Sequence, residues 1–216
     1  MTQLRLDLHI HTRASHDCLS EYVDVVAAAR ARGLHRIAVT DHNEIEGALR
    51  ARDLAPELVI VGEEVKTAEG ADLSGLFLSE KILAGTPALE AAQAIREQGG
   101  LVYVPHPFAG RKGLGKEALE KLAPWIDIVE VFNARIHDQE LNRRAARWAE
   151  AHGFPGAAGS DAHTLAEIGR AVVAVPEFEG SGGLARALRS GRISGRGSSR
   201  WVHLASTWAK LVGKFA

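Results

Sequence analysis

At 216 residues, 46% of them hydrophobic and 25% charged, the chain is long enough for one domain with a substantial core and too apolar for global disorder. Its 26 Lys and Arg against 27 Asp and Glu leave a net charge of −1, so no whole-protein field favours nucleic acid or an acidic membrane. A single cysteine, Cys18, excludes an internal disulfide; no apolar run reaches the ~18 residues of a membrane span, and Met1–Asp7 lacks a signal-peptide core, so a cytoplasmic protein is expected.

Leu4–His11 alternates, with Leu6, Leu8 and Ile10 on one face, and reads as a strand. Ser20 caps a helix over Glu21–Arg32 that Gly33 stops. Arg36–Thr40 is a short apolar strand, Asn43–Asp53 is helical, and Leu58–Glu64 is a Val- and Ile-rich strand; Leu73–Leu78 reads as a fourth. Thr86-Pro87 opens a helix that runs to about Gln98 and ends at Gly99-Gly100. Strands follow at Leu101–His106 and Ile126–Phe132, a helix at Asp138–His152, strands at Gly156–Ser160 and Ala171–Val175, and a helix at Leu184–Ser190. Such alternation predicts a parallel sheet flanked by helices, closed into a small barrel or left open and doubly wound.

The stretch Arg192–Ala216 holds five Lys or Arg and no acid. Gly195–Ser199 reads as a linker, and Trp201, Leu204, Ala205, Trp208, Leu211, Val212 and Phe215 share one helix face. The expected organisation is a barrel over 1–194 and a basic amphipathic helix over 195–216, docked on the barrel by its tryptophan stripe. Binding a membrane surface or a partner is the other reading of that stripe.

Five strand ends carry metal-ligand chemistry. Asp7-Leu-His9-Ile-His11 places two imidazoles on one side of a strand, with Asp7 on the same face as a potential ring-orienting partner. Asp41-His42, Glu63-Glu64, His106 between two prolines, and Asp161-Ala-His163 each end a further strand. In a parallel barrel those ends converge on one mouth, where active sites are built. Convergent His and carboxylate side chains suit divalent ions.

Taken together these segments resemble the polymerase and histidinol phosphatase (PHP) family of metal-dependent hydrolases. The matching pieces are Asp7–Thr12 with Ser15 and Asp17, Thr40–Asn43, Gly62–Val65, Pro105–Pro107, Glu130–Asn133 and Gly159–Thr164. The resemblance implies a distorted (β/α)7 barrel with two or three divalent ions, Mn, Fe or Zn. By position it implies His9, His11, Glu64 and Asp161 at a first metal, Glu64 and His106 at a second, and Asp17, His42 and His163 at a third. In the family so resembled many members carry a histidine where Asp72 stands here; Asp72 is either a ligand of the second metal or a turn residue. Glu63 is left as a solvated carboxylate or one that supports a ligand.

The activity so implied is hydrolysis of a phosphate ester, on a small phosphomonoester or nucleotide, by a hydroxide shared between the ions. Asp41 and His163 are the candidates for catalytic proton handling, and Asn133, Arg13, Arg111 and Arg135 for holding the phosphorylated substrate, with Arg111 foremost. Hydrolysis of a non-phosphate bond, as in amidohydrolase-like barrels, and a non-catalytic metal-binding module that docks a partner are the alternatives.

Overall fold

The computed structural model describes residues 3–199 and 201–212. Its elements are β1 (Gln3–Ile10), α1 (Tyr22–Ala31), β2 (Arg36–Val39), α2 (Glu46–Leu54), β3 (Val59–Lys66), β4 (Asp72–Leu76), α3 (Ala88–Glu97) and β5 (Leu101–Val104). They continue with α4 (Gly115–Leu122), β6 (Ile128–Asn133), α5 (Gln139–Ala151), β7 (Gly156–Gly159), β8 (Ala171–Pro176), α6 (Gly180–Leu188), β9 (Arg192–Gly195) and α7 (Val202–Val212).

The strands bond in the order β7-β6-β5-β4-β3-β2-β1-β8-β9. Just past their C-terminal ends β7 and β1 meet: Ile10 bridges Ala162, and His11 N donates to Ala162 O at 2.9 Å. The result is a nearly closed α/β barrel of the distorted (β/α)7 class, as expected.

Its sheet is not uniformly parallel. Only residues 67–71 join β3 to β4, too few for a crossover of about a dozen residues, so β4 runs antiparallel to β3 and to β5. This reversal brings the start of β4, Asp72, to the mouth where the parallel strands end; Asp72 pairs with Lys66 at the end of β3. β8 lies antiparallel to β1, and β9 antiparallel to β8.

Two apolar clusters stabilise the barrel. An inner one draws Leu6, Leu8, Ala38, Ile60, Tyr103 and Ile128 from successive strands, and Leu184 and Leu188 of α6 join it. An outer one packs Ile37, Val39, Val61, Val104 and Val129 against the helices. Leu8 belongs to the inner cluster and Ile10 to the outer, so the simple alternation expected for this strand fails. The register between β1 and β2 shifts between Asp7 and Ile10, and such a break re-aims side chains beside active sites.

α4 and β9 lie outside the expected set. α4 buries Leu119 and Leu122 three residues apart, a helical signature. β9 is exposed along its whole length, which is why Arg192–Gly195 carries no apolar strand signal. α7 rests on the barrel mouth, but not by the expected stripe. Trp201, Leu204, Trp208 and Leu211 are exposed, whereas Ser206 and Ala209 of the opposite face are buried. Phe215 lies outside the described residues.

Candidate metal centre

Strand ends bring the predicted ligands together. His9 Nε2 and His11 Nε2 are 3.1 Å apart. Glu64 Oε2 lies 3.5 Å from His9 Nε2, 3.6 Å from His11 Nε2 and 2.9 Å from His42 Nδ1. Asp161 Oδ1 lies 3.7 Å from His9 Nε2 and 3.4 Å from His11 Nε2. His106 Nε2 is 3.0 Å from Glu64 Oε1, so Glu64 faces both sides of the cluster. Asp17 completes it: Oδ1 is 3.2 Å from His163 Nε2, and Oδ2 is 3.7 Å from His42 Nε2. Among the described residues three sets can each share an ion: His9, His11 and Asp161; His9, Glu64 and His106; His11, His42 and His163.

Two features suit this cluster to a cation. Buried Asp17 Oδ1, Glu64 Oε2, Asp72 Oδ2, His106 Nδ1 and His163 Nε2 have no hydrogen-bond partner, although several lie within ion-pair distance of one another. Lone pairs that are dehydrated yet not aimed at protons are costly unless an ion collects them. Charge agrees. Burial alone would lower the His9 pKa, but Asp161, Glu130 and Glu64 outweigh it and hold it well above the ordinary imidazole value. Burial likewise would raise Glu64 and Asp161, yet the surrounding imidazoles hold both well below the carboxylate range. The cage demands positive charge, which a divalent ion supplies by displacing protons.

A surrounding set of hydrogen bonds fixes the ligands. Glu130 Oε1 contacts His9 Nδ1 at 3.1 Å and accepts from Tyr103 Oη at 2.9 Å; Oε2 accepts from His106 N at 2.7 Å and Asn133 Nδ2 at 2.9 Å. Glu130 therefore orients His9, the part expected of Asp7. Asp7 instead accepts backbone N–H groups from Ser160 and Gly169 and tethers the loops after β7. Asn133 also donates to Asp161 Oδ2 at 3.3 Å. Asp41 accepts from Thr12 N and Thr12 Oγ1, both at 2.6 Å, and from Ser15 Oγ at 2.8 Å; Ser15 Oγ is 3.1 Å from His11 Nδ1. Asp41 thus acts on His11 through Ser15. His163 Nδ1 faces the Asp161 carbonyl at 2.9 Å, which leaves Nε2 as the lone pair turned to Asp17.

Backbone geometry is as specific. Asp161 (φ 53°) and His106 (φ 27°) both sit in the left-handed region, a strained state that persists where surroundings enforce it. Gly159 has no room for a side chain: a Cβ there would overlap His9 Cβ and Glu130 Oε1.

Asp72 is at the mouth, with Oδ1 2.8 Å from Lys66 Nζ and Oδ2 buried without a partner. Burial and the nearby Glu64 charge raise its pKa. The arginines are dispersed. Arg13 is exposed and paired with Glu21, and Arg111 is exposed. Arg135 borders the mouth, but its guanidinium is directed to Glu167 (Nε–Oε1 3.1 Å), Ser206 Oγ (2.7 Å) and the Val202 carbonyl (3.2 Å). Sequence reasoning missed Lys112, beside Arg111. Its side chain is exposed at the mouth; partial desolvation there would lower its pKa, but Asp161, Glu64, Asp72 and Asp17 hold it above the ordinary ammonium value. It missed Lys210 too, whose Nζ is 3.3 Å from Asp17 Oδ2. No local motif marks either lysine. Glu130 lay within a matching segment, and its inward position on β6 was the available signal.

Comparison with known proteins agrees with this geometry. The PHP domain model matches residues 7–123, and the PHP-associated model matches residues 139–193. An uncharacterized protein of Methanocaldococcus jannaschii is 35% identical over 180 residues, 81% of this chain and 72% of that protein. The fold resembles a two-domain Bacteroides vulgatus protein containing a predicted PHP-like metal-dependent phosphoesterase, with a TM-score of 0.75 at 20% identity over 97% of this chain and 70% of that one. It also resembles the lesion-specific endonuclease PfuEndoQ of Pyrococcus furiosus, with a TM-score of 0.64 at 17% identity over 89% of this chain and 58% of that one. With its N-terminal half matched by the family model, and its His and carboxylate side chains gathered at one barrel mouth, this chain belongs to the PHP domain family.

Proposed function

We propose that this chain is a metal-dependent phosphoesterase acting on a small phosphomonoester or nucleotide. The observation that carries the reading is the convergence of His9, His11, His42, Glu64, His106, Asp161 and His163 at one mouth, with Asp17 Oδ1, Glu64 Oε2 and His163 Nε2 buried there without a hydrogen-bond partner. His9, His11, Glu64 and Asp161 would hold one ion, Glu64, His106 and Asp72 a second, and Asp17, His42 and His163 a third. When bound, such ions supply Lewis acidity and lower the pKa of water, the chemistry that phosphate-ester hydrolysis needs near neutral pH.

The protein's own groups do the rest. Glu130, Ser15 with Asp41, and Asn133 hold His9, His11 and Asp161 in place. A cavity of about 280 Å³ beside the centre is bordered by Lys112 and Lys210, cations suited to phosphoryl oxygens. Cys18 is no nucleophile: burial pushes its thiol up to about 11. Because the fold is also that of an endonuclease, oligonucleotides belong in the substrate panel.

The test pairs elemental analysis of protein purified without chelator with turnover of aryl phosphate, nucleotides and short oligonucleotides. Activity lost to chelator, restored by Mn, Fe or Zn, and absent in His9→Ala supports the reading. A metal-loaded protein inert across the panel, or His9→Ala at full rate, refutes it. Turnover of carboxylic esters or amides alone would assign the site to another bond.

A further inference from the structure

We infer that α7 forms one wall of the substrate pocket and that Lys210 binds a phosphoryl oxygen of the substrate. This inference rests on the phosphoesterase reading of the same site. Every ligand discussed above comes from the barrel, whereas Lys210 reaches the site from a helix laid across its mouth.

Polar contacts set the position of α7. Its tryptophan stripe faces away from the barrel, so burial of that stripe does not hold the helix; small Ser206 and Ala209 allow close approach on the inner side. Arg135, only 7% exposed, bonds Ser206 Oγ and the Val202 carbonyl while pairing with the fully buried Glu167. Glu167 Oε2 accepts in turn from His163 N at 3.2 Å and from Thr164 Oγ1 at 3.0 Å. A buried chain of contacts therefore runs from α7 through Arg135 and Glu167 to the loop that carries His163. A buried guanidinium and carboxylate are expensive to keep as a mere surface clasp. They fix the helix in register with the metal centre.

That register places Ser206, Thr207 and Lys210 along one side of the cavity of about 280 Å³, with Asp161 and Lys112 among the residues on its other sides. Lys210 Nζ sits 3.3 Å from Asp17 Oδ2. An Asp17 carboxylate committed to a cation has less charge left for the ammonium. The ammonium, a point charge on a flexible four-carbon stem, then turns to the next anion within reach. A phosphoryl group entering the cavity is that anion, and Lys112 stands ready to share it.

The test uses the full-length, metal-loaded protein, with inorganic phosphate as the probe in calorimetry and an aryl phosphate in kinetics. Lys210 is half-exposed and far from the core, so Lys210→Ala is expected to fold and to keep its metal content. It should bind inorganic phosphate roughly 10–100-fold more weakly, the size of one lost charge-assisted hydrogen bond. KM should rise by a similar factor with kcat less affected, and Lys210→Arg should recover most of both. Trp208→Ala, on the outer face of α7, should leave phosphate binding unchanged. If the wild type binds phosphate and turns over esters, and Lys210→Ala does both equally well, the inference is overturned while the phosphoesterase reading stands. Tighter metal binding in Lys210→Ala without weaker phosphate binding overturns it also, since Lys210 would then be only a counter-ion for Asp17. A wild type that neither binds phosphate nor turns over any phosphoester removes both.

Discussion

Glu63 offers a test that is independent of activity. It adjoins Glu64 on β3 but points away from the metal centre. The side chain is fully buried, Oε2 accepts from Ile82 N at 2.8 Å, and Oε1 has no hydrogen-bond partner. Its charged neighbours are Lys81 and Glu44, not the ligands. Burial raises its pKa from 4.5 to about 7, against the Ile82 hydrogen bond and the Lys81 charge. Between those values the folded state keeps a proton that the unfolded chain has released. Stability is therefore fully present below pH 4.5 and falls as the pH rises through 7. The displacement corresponds to ~3 kcal/mol at ~1.4 kcal/mol per unit. Glu63→Gln removes the penalty but leaves an amide N–H₂ without an acceptor, at a pH-independent cost of about 1 kcal/mol. Near pH 5 the variant should thus be slightly less stable than wild type. Near pH 8.5 it should be more stable by ~2 kcal/mol, or on the order of 4–8 °C in melting temperature at this size. Paired thermal melts across that range cancel effects common to both proteins. A difference that stays constant with pH would show that Glu63 titrates normally and that the argument from burial is wrong.

Glu130→Gln keeps the shape of the residue behind His9 and His106 but removes its charge. Metal titration should show affinity reduced about 10–100-fold with unchanged circular dichroism, and unaltered affinity would remove Glu130 from the site. Gly159→Ala forces a methyl group into His9 and Glu130, so urea unfolding should show a loss of at least ~2 kcal/mol together with impaired metal uptake; a neutral result would contradict the close approach of β7 and β1. Divalent metal should stabilise the wild type by about 2.7 kcal/mol at a hundredfold excess over Kd, read as a melting temperature that rises with metal concentration. His9→Ala should lose most of that gain, and an equal gain in the variant would place the ions elsewhere.

Much of the site was legible because ligand chemistry sits at strand ends, and strand ends are local features. His9, His11, His42, His106, Asp161 and His163 could each be placed from a short apolar run followed by a polar residue, whereas choosing Glu64 over Glu63 took the resemblance to the PHP family. The direction of β4 was available only from the shortness of its connection to β3, which the expectation of a parallel sheet passed over, and the reversal takes Asp72 to the mouth. The partners that orient the ligands were harder still. Glu130 meets His9 across 121 positions of sequence, and nothing near either residue announces the other.

Hydrophobic periodicity, turn residues and the types of side chain at strand ends pointed to an α/β sheet with His and carboxylate side chains at its strand ends, since these depend on neighbours along the chain; the closed barrel and the ligand set followed from the resemblance to the PHP family. Which way each helix and carboxylate faces was decided only on folding. The amphipathic pattern of α7 called for buried tryptophans, yet buried Arg135 and Glu167 turn its polar side to the barrel and bring Lys210 over Asp17. Burial, charge pairing and close approach are properties of the assembled molecule, and the one-dimensional pattern does not contain them.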